Sequence, residues 1–204
     1  MLQSAPLFRG LVLLKGAFGV MKLSEVSQLQ DLWDDLPVFR DKLQQMAEEL
    51  NLSLSSYLID HISVRCHQIN TAERWHQGLI QCAQLVSDNL INYRPIRLYE
   101  LAEPISIAQQ DVYIIELPFP KDKIYPKESW EHIEMVIDVE PSQLEMAARA
   151  LLPDPLPYGY RIKVSQPKAY QQERLPNPTL AVSNGEITVK YHPFSLKKII
   201  ESEK

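Results

Sequence analysis

A short word occurs twice in this chain, and each copy opens a similar unit. The first copy is Asp60-His61-Ile62, and the second is Glu131-His132-Ile133. About ten residues after each histidine a helical pattern begins, and segments with the alternation typical of strands follow it. Two matching units of strand, helix and strands predict a duplicated fold, whose site would lie where the halves meet.

Each unit also carries a polar residue near its end. Glu116 lies 55 positions after His61, between Ile115 and Leu117, and Lys190 lies 58 positions after His132. If the halves superpose, Lys190 takes the place that Glu116 holds in the first unit.

The opening strand of each unit has one polar face. His61, Ser63 and Arg65 alternate with apolar residues, and His132 and Glu134 do the same in the second unit. Burying a neutral polar group without a partner costs roughly 2–7 kcal/mol, and a charge costs more. Polar residues that converge from separate strands can satisfy one another around a cation.

His61, Glu116 and His132 are therefore the candidate ligands of a divalent transition metal. Imidazole nitrogen and carboxylate oxygen suit zinc, nickel, iron, manganese and cobalt, so the sequence leaves the metal open. Three protein ligands leave positions for water and substrate, as in catalytic sites. The spacing matches no HExxH or HxH motif, and a lone strand histidine is more often a hydrogen-bonded structural residue.

Four further residues have candidate roles. Glu134 could be a fourth ligand, an acceptor that orients an imidazole, or the proton-transfer base, and we take it as the catalytic base. Arg65 could hold a carboxylate or phosphate of the substrate, or form a structural ion pair. Lys190 could bind an anionic substrate group or be neutralised by Glu134, and His192 could supply the ligand nitrogen that the Lys190 ammonium does not supply. Lys190 and His192 could equally lie in solvent at a strand end.

Composition excludes several classes of function. The net charge is -5 without a dense basic stripe, which argues against a nucleic-acid partner. No apolar run approaches the ~20 residues needed to span a bilayer. The two cysteines, Cys66 and Cys82, form no CxxC pair and fall on apolar faces. We therefore expect reduced packing cysteines in a cytoplasmic protein.

The rest of the chain divides into three parts. Residues 1–21 contain basic but no acidic residues, and we expect a leader outside the core fold. Residues 22–57 form a helical segment, in which Pro37 is predicted to separate two helices. Residues 58–202 form the main α+β domain, with one module at 58–120 and the other at 128–193.

The local patterns predict the elements of both modules. In the first, a capping-box sequence at residues 70–73 starts a helix whose buried face continues to Val86, and strands follow near residues 96–101, 105–108 and 112–117. In the second, a strand at residues 130–139 precedes a helix begun by Pro141, a hairpin turning at Asn184-Gly185, and a closing helix near residues 194–200. Arg174 and Asn177 could form a lid.

Several runs in this order resemble the YecM family, a set of bacterial proteins without an assigned reaction. The resemblance covers about residues 24–202, and it rests on these runs: Asp60-His61-Ile62-Ser63, Thr71-Ala72-Glu73-Arg74-Trp75, Ile115-Glu116-Leu117-Pro118, Trp130-Glu131-His132-Ile133-Glu134, Glu173-Arg174-Leu175-Pro176-Asn177-Pro178-Thr179 and Lys190-Tyr191-His192-Pro193.

The resemblance implies the vicinal oxygen chelate fold, in which paired βαβββ modules form a curled mixed sheet around a cleft. Glyoxalase I, extradiol dioxygenases and bleomycin resistance proteins share that fold. In its metal enzymes the ligands come from the first and last strand of each module, places that match His61, Glu116 and His132 here. The fourth place usually holds glutamate, where this chain has Lys190.

Two functions follow as hypotheses. One is a metal-dependent isomerase, epimerase or lyase that acts on a small oxygen-chelating substrate, which could be anionic. The alternative is a metal-free protein that binds or sequesters a small ligand in the same cleft, as related resistance proteins do. Because one chain holds both modules, a monomer or a homodimer would each contain a complete cleft.

Overall fold

The chain forms one curled, unclosed mixed sheet with helices packed against it. The coordinates are a computed structural model, which describes residues 21–165 and 175–202. Within those ranges the strands are β1 Leu58–Arg65, β2 Ala83–Ile91, β3 Arg94–Ile107, β4 Gln110–Pro118, β5 Ser129–Val136, β6 Arg161–Ser165, β7 Thr179–Ser183 and β8 Thr188–His192. The α-helices there are α1 Gln30–Glu49, α2 Ile69–Cys82, α3 Leu144–Arg149 and α4 Leu196–Ser202.

The order of strands in the sheet shows the duplication. It runs β2-β3-β4-β1-β5-β8-β7-β6. β1 and β5 pair antiparallel at the centre, β1 pairs with β4 in parallel, and β5 pairs with β8 in parallel. Each half is thus a βαβββ module, and the predicted α+β fold of paired modules is confirmed.

The register makes Glu116 and Lys190 equivalent. Ser63, two residues after His61, pairs with Glu116, and Glu134, two residues after His132, pairs with Lys190. The superposition expected from the repeated word therefore holds at the level of individual strand partners.

One face of the sheet belongs to the core. Ile62, Val64, Ile133 and Val189 are fully buried there, in one apolar cluster with residues of α1, α2 and α3. The indole of Trp130 donates a hydrogen bond to the carbonyl of Leu32 at 2.8 Å, which fixes α1 against the sheet. We call the opposite face, which carries His61 and His132, the inner face.

The closing helix α4 lies against the inner face of the first module. The backbone amide of Leu196 donates to Asp60 Oδ2 at 3.0 Å. Ile199 is buried, and with Ile96, Leu98 and Glu116 it lines a small cavity of about 40 Å³. The C-terminal end of the described chain thus covers this half of the sheet.

The prediction that Pro37 separates two helices is wrong. Pro37 lies inside the single helix α1, on its exposed side. Proline removes one helical N–H donor, and on a solvent-facing surface water can satisfy the freed carbonyl. The buried stripe that includes Leu32, Leu36 and Phe39 holds the helix together across that position.

The predicted boundaries in the first module need three corrections. α2 ends at Cys82, and Val86 belongs to the unpredicted strand β2, because pairing with β3 draws the chain into extended backbone from Ala83 onward. The capping box does not form, because the helix already begins at Ile69, with Gln68 as the N-cap and no side-chain cap hydrogen bond. The two strands expected at residues 96–101 and 105–108 are one strand, β3.

The second module follows its predicted pattern more closely. The hairpin at Asn184-Gly185 and the closing helix are confirmed. β5 ends at Val136 rather than at residue 139, and β6 was not predicted.

Of the expected leader at residues 1–21 only Met21 is described, so that expectation lies outside the described residues. No helix in the described ranges is long and apolar enough to cross a membrane.

Candidate metal centre

The two histidines of the repeated word lie side by side at the centre of the sheet. His61 and His132 are fully buried, and their ring centroids are 6.3 Å apart. His61 pairs with Glu134 and Ser63 pairs with His132 across β1 and β5. The antiparallel pairing therefore brings both imidazoles onto the inner face.

The acidic residue before each histidine orients its ring. His61 Nδ1 lies 3.0 Å from Asp60 Oδ2, and His132 Nδ1 lies 2.7 Å from Glu131 Oε2. A carboxylate on one ring nitrogen fixes the imidazole and leaves the other nitrogen as a ligand, which is the usual arrangement around bound metals.

Two β-bulges make this arrangement possible. Neighbouring residues of a regular strand point to opposite faces, yet each acid and the histidine after it meet. The β1–β5 register skips Asp60 on one strand and Glu131 on the other, so each acid is the extra residue of a bulge. Neither Asp60 nor Glu131 was predicted to have a role, although an acidic residue repeated before each histidine was the available signal.

Two carboxylates complete the cluster. Glu134 Oε1 lies 3.2 Å from His132 Nε2 and 3.6 Å from His61 Nε2, and Glu116 Oε1 lies 3.8 Å from His132 Nε2. One ligand atom from each of these four residues lies within 4.8 Å of the others. The structure thus brings the three predicted ligands together and adds Glu134 to them.

The donor set fits a divalent transition metal. Two imidazoles and two carboxylates suit the metals that the sequence pointed to. His61 Nε2 is buried and has no hydrogen-bond partner within the described structure. A buried nitrogen without a partner is unfavourable unless something binds it, so these four residues are the ones that would hold an ion.

Lys190 reaches into the middle of the cluster. Its Nζ lies 2.8 Å from Glu134 Oε1 and 2.9 Å from His132 Nε2. Burial alone would raise the pKa of Glu116, but the charges of Lys190 and Arg65 outweigh it and lower that pKa to about 2. Burial likewise opposes ionisation of Glu134, yet Lys190 and His61 hold its pKa well below the ordinary value. The ammonium therefore supplies positive charge where a metal would supply it.

Arg65 joins the two halves of the site. Its Nη1 donates to Ser63 Oγ at 2.7 Å and lies 3.4 Å from Glu116 Oε1, while its Nε lies 3.4 Å from Glu131 Oε2. Ser63 in turn donates to Glu116 Oε1 at 2.7 Å. The guanidinium is thus fastened to protein carboxylates, and its predicted grip on substrate stays a prediction.

His192 is buried beside the cluster rather than in solvent. Neither of its ring nitrogens has a hydrogen-bond partner within the described structure. Nδ1 lies 3.7 Å from Glu134 Oε2, and Nε2 lies 3.8 Å from Asp60 Oδ2. Burial lowers the pKa of His192, so this imidazole is neutral at pH 7.

His61 titrates in the opposite direction. Burial by itself would lower its pKa, but the charge of Glu134 and the hydrogen bond with Asp60 raise the pKa to about 10. In the metal-free protein His61 is therefore protonated at neutral pH.

The lid predicted from Arg174 and Asn177 stays a prediction, because Arg174 lies outside the described residues.

The fold and the cluster together define a class: an α+β protein of paired βαβββ modules with a buried His/Glu cluster at their junction, consistent with the vicinal oxygen chelate fold. Within that class the chain belongs to the YecM family. The sequence model of that family, described as "YecM protein", matches residues 28–203.

Individual relatives agree with this placement. The chain is 48% identical to Protein YecM of Escherichia coli (strain K12) over 181 residues, which is 87% of this chain and 95% of that protein. It is 42% identical over 177 residues to an uncharacterized protein of Haemophilus influenzae, covering 83% of this chain and 92% of that one. A solved structure titled "Structural Genomics, Protein EC4020" superposes with a TM-score of 0.86 at 43% identity, covering 93% of this chain and 100% of that chain.

Proposed function

We propose that this protein is a divalent-metal-dependent enzyme of small-molecule chemistry, of the isomerase, epimerase or lyase type. One observation carries the proposal: two buried imidazoles, each oriented by the acid before it, aim at the same point as the carboxylates of Glu116 and Glu134. The unpartnered His61 Nε2 supports it.

The chain's own residues divide the tasks as follows. His61, His132, Glu116 and Glu134 would hold the ion, and Asp60 and Glu131 would keep the two rings in place. A divalent ion bound there supplies Lewis acidity toward vicinal oxygens of a substrate. Glu134, predicted as the proton-transfer base, is a weak base because its pKa is held well below the ordinary value. Its position among the other three candidate ligands favours metal ligation instead.

His192 is then the candidate for proton transfer. His192 is neutral, has no hydrogen bond at either ring nitrogen within the described structure, and lies next to Glu134. It can accept a proton at Nδ1 or Nε2. If an ion bound there, Lys190 would have to leave the cluster, and its protonated Nζ could then face an anionic oxygen of the substrate.

The alternative is a metal-free protein that binds a small ligand. The observation that favours it is the ammonium of Lys190, which already contacts Glu134 and His132 at hydrogen-bond distance. On either reading we expect a small-molecule partner, a cytoplasmic location and a monomer or homodimer, without nucleic-acid or membrane partners.

Metal analysis separates the two functions. Protein purified without chelator or affinity tag is expected to carry near-stoichiometric transition metal, measured by plasma mass spectrometry. His61→Ala and His132→Ala should lose it while keeping the circular dichroism of the fold. If folded wild-type protein takes up no metal at neutral pH, the enzyme proposal is rejected in favour of ligand binding.

A further inference from the structure

A cavity of about 540 Å³ opens beside the cluster on the side of the second module. Its walls come from β6, the β7–β8 hairpin, α1 and the segment before β5. Arg161 and Lys163 on β6 and Ser183 and Thr188 at the hairpin line it. None of the four proposed metal ligands lines it.

The cavity has an excess of positive charge. Three of its lining cations are paired: Lys42 with Glu186, Lys127 with Asp35, and Arg65 with Glu131. Three others, Lys123, Arg161 and Lys163, line it without a carboxylate partner in the described part of the chain. Lys123 instead stacks on the ring of Tyr125, with Nζ 4.6 Å from the centroid. In a protein of net charge -5, a pocket with surplus cations selects anions.

Much of the remaining lining is apolar or aromatic. Phe39, Tyr125, Trp130 and Ile187 contribute to the walls. The volume lies in the range of roughly 300–1,000 Å³ typical of sites for organic ligands, and it far exceeds what an inorganic ion fills. Charge and lining together fit an organic molecule with an apolar or aromatic body and an anionic group.

The cavity also reaches the cluster. Arg65 and Glu131 line it, and the same residues contact Glu116 and His132. A molecule bound there would lie against the residues that orient the metal ligands.

We propose that this cavity binds the anionic group and the adjoining body of the substrate, with Arg161 and Lys163 as the residues that recognise the anion. The shared chemistry is a phosphate ester or a carboxylate on an apolar or aromatic body. That this molecule is the substrate rests on the proposed function, whereas its binding to the cavity can be measured without metal.

Titration calorimetry on the chelator-treated full chain tests the proposal. The probes are phenyl phosphate, phenylacetate, inorganic phosphate and phenol, which separate the anion from the body and phosphate from carboxylate. We expect phenyl phosphate or phenylacetate to bind more tightly than inorganic phosphate or phenol, and more weakly as sodium chloride is raised. Whichever of the two anions binds more tightly identifies the group.

A matched pair of double variants locates the binding. Arg161→Gln with Lys163→Gln should weaken binding of the anionic probe by roughly tenfold, because two charge-assisted contacts are lost. Arg149→Gln with Lys197→Gln makes the same change in charge at exposed residues outside the cavity, and should leave the affinity within about twofold. Circular dichroism checks that both variants fold.

Other outcomes of these measurements would overturn the cavity proposal or separate it from the proposed metal chemistry. Equal affinity in the two double variants, inorganic phosphate binding as tightly as the ester, or no binding of any probe at millimolar concentration overturns the proposal. His61→Ala with His132→Ala keeps anion binding if the cavity acts alone. Wild-type protein that binds the anion but takes up no metal therefore refutes the proposed metal chemistry alone, and wild-type protein that takes up metal but binds no anionic probe refutes the cavity alone.

Discussion

At the scale of single residues, Lys190 decides how the cluster is charged. It occupies the strand position equivalent to Glu116, and its ammonium lies among the ligand atoms. An ion entering the cluster must displace that charge, since two cations a few ångströms apart repel each other strongly in a buried site.

Lys190→Glu is therefore expected to raise the affinity for Zn²⁺ or Mn²⁺ by about tenfold or more. It removes the repelling ammonium and adds a carboxylate at the equivalent ligand place. Without metal the same variant should be less stable, because its buried carboxylates lose their counter-charge. Competition titration and thermal unfolding with and without metal measure both effects. Lys197→Glu, an equal charge change at an exposed residue, is the control, and unchanged metal affinity in Lys190→Glu would contradict the competition.

The cysteines give a second prediction at this scale. Burial raises the pKa of the Cys66 thiol to about 12 and that of Cys82 to about 11. Because the thiolate is the reactive form, neither should react with Ellman's reagent in native protein at pH 8, and both should react in guanidinium. Rapid labelling of one thiol in the native state would show that its burial is incomplete.

The sequence predicted these residues unevenly. Repetition was enough to select His61 and His132, and superposition of the units selected Glu116 and Lys190. The sequence could not place Asp60 and Glu131 beside the histidine rings, because strand alternation puts neighbouring residues on opposite faces and no glycine marks either bulge. For Arg65 the sequence left open a structural ion pair, but it could not identify Glu116 and Glu131 as the partners, since those contacts depend on strands that meet only in the folded sheet.

At the scale of elements, α2 depends on a close approach at Gly78. A Cβ atom there would lie 2.6 Å from Leu29 Cγ and 2.7 Å from Leu29 Cδ2. Leu29 is itself fully buried, so it has little room to move. The contact sets how near the N-terminal segment lies to α2.

Gly78→Ala is expected to lower the free energy of unfolding by about 1–2 kcal/mol. Overpacking costs typically 1–3 kcal/mol, which exceeds the gain of up to about 1 kcal/mol in helix propensity. Urea unfolding measures the change, and Gln77→Ala on the exposed face of the same helix should stay within about 0.5 kcal/mol of wild type. In a double-mutant cycle, Leu29→Ala should absorb part of the loss. A more stable Gly78→Ala protein would mean that the segment shifts freely.

The boundaries of helices and strands were predicted poorly where strand pairing, rather than local sequence, sets them. The step from α2 directly into β2 at Ala83 carries no glycine or proline, and the apolar Val86 continued the helical stripe. The kind of element was predictable where a turn fixed it, as at Asn184-Gly185. Pro37 misled in the other direction, because exposure of its side of α1 is set by packing.

At the scale of the whole molecule, the buried charges predict a pH dependence of stability in the metal-free protein. Because Glu134 and Asp60 outweigh burial and raise the pKa of His61 from 6.5 to about 10, its contribution is fully present below about 6.5 and is lost as pH rises toward 10. The pKa of Glu116 is lowered from 4.5 to about 2, so its contribution is present above about 4.5 and is lost as pH falls toward 2.

Urea unfolding of chelator-treated protein should therefore show a decline in stability between pH 7 and pH 10. His61→Gln should remove much of that alkaline decline. Saturating metal should remove it too, because an imidazole ligand is deprotonated when it binds. The same alkaline slope in wild type and His61→Gln would assign the decline to other groups.

The closing helix gives the two halves of this duplicated sheet different freedom to vary. α4 seals the inner face of the first module, so mutations there must preserve a fitted wall. The second module borders an open cavity, where we expect substitutions in β6 and the hairpin tip to cost less stability. Evolution could therefore retune which molecules enter by changing one half alone, while the paired histidines are inherited unaltered.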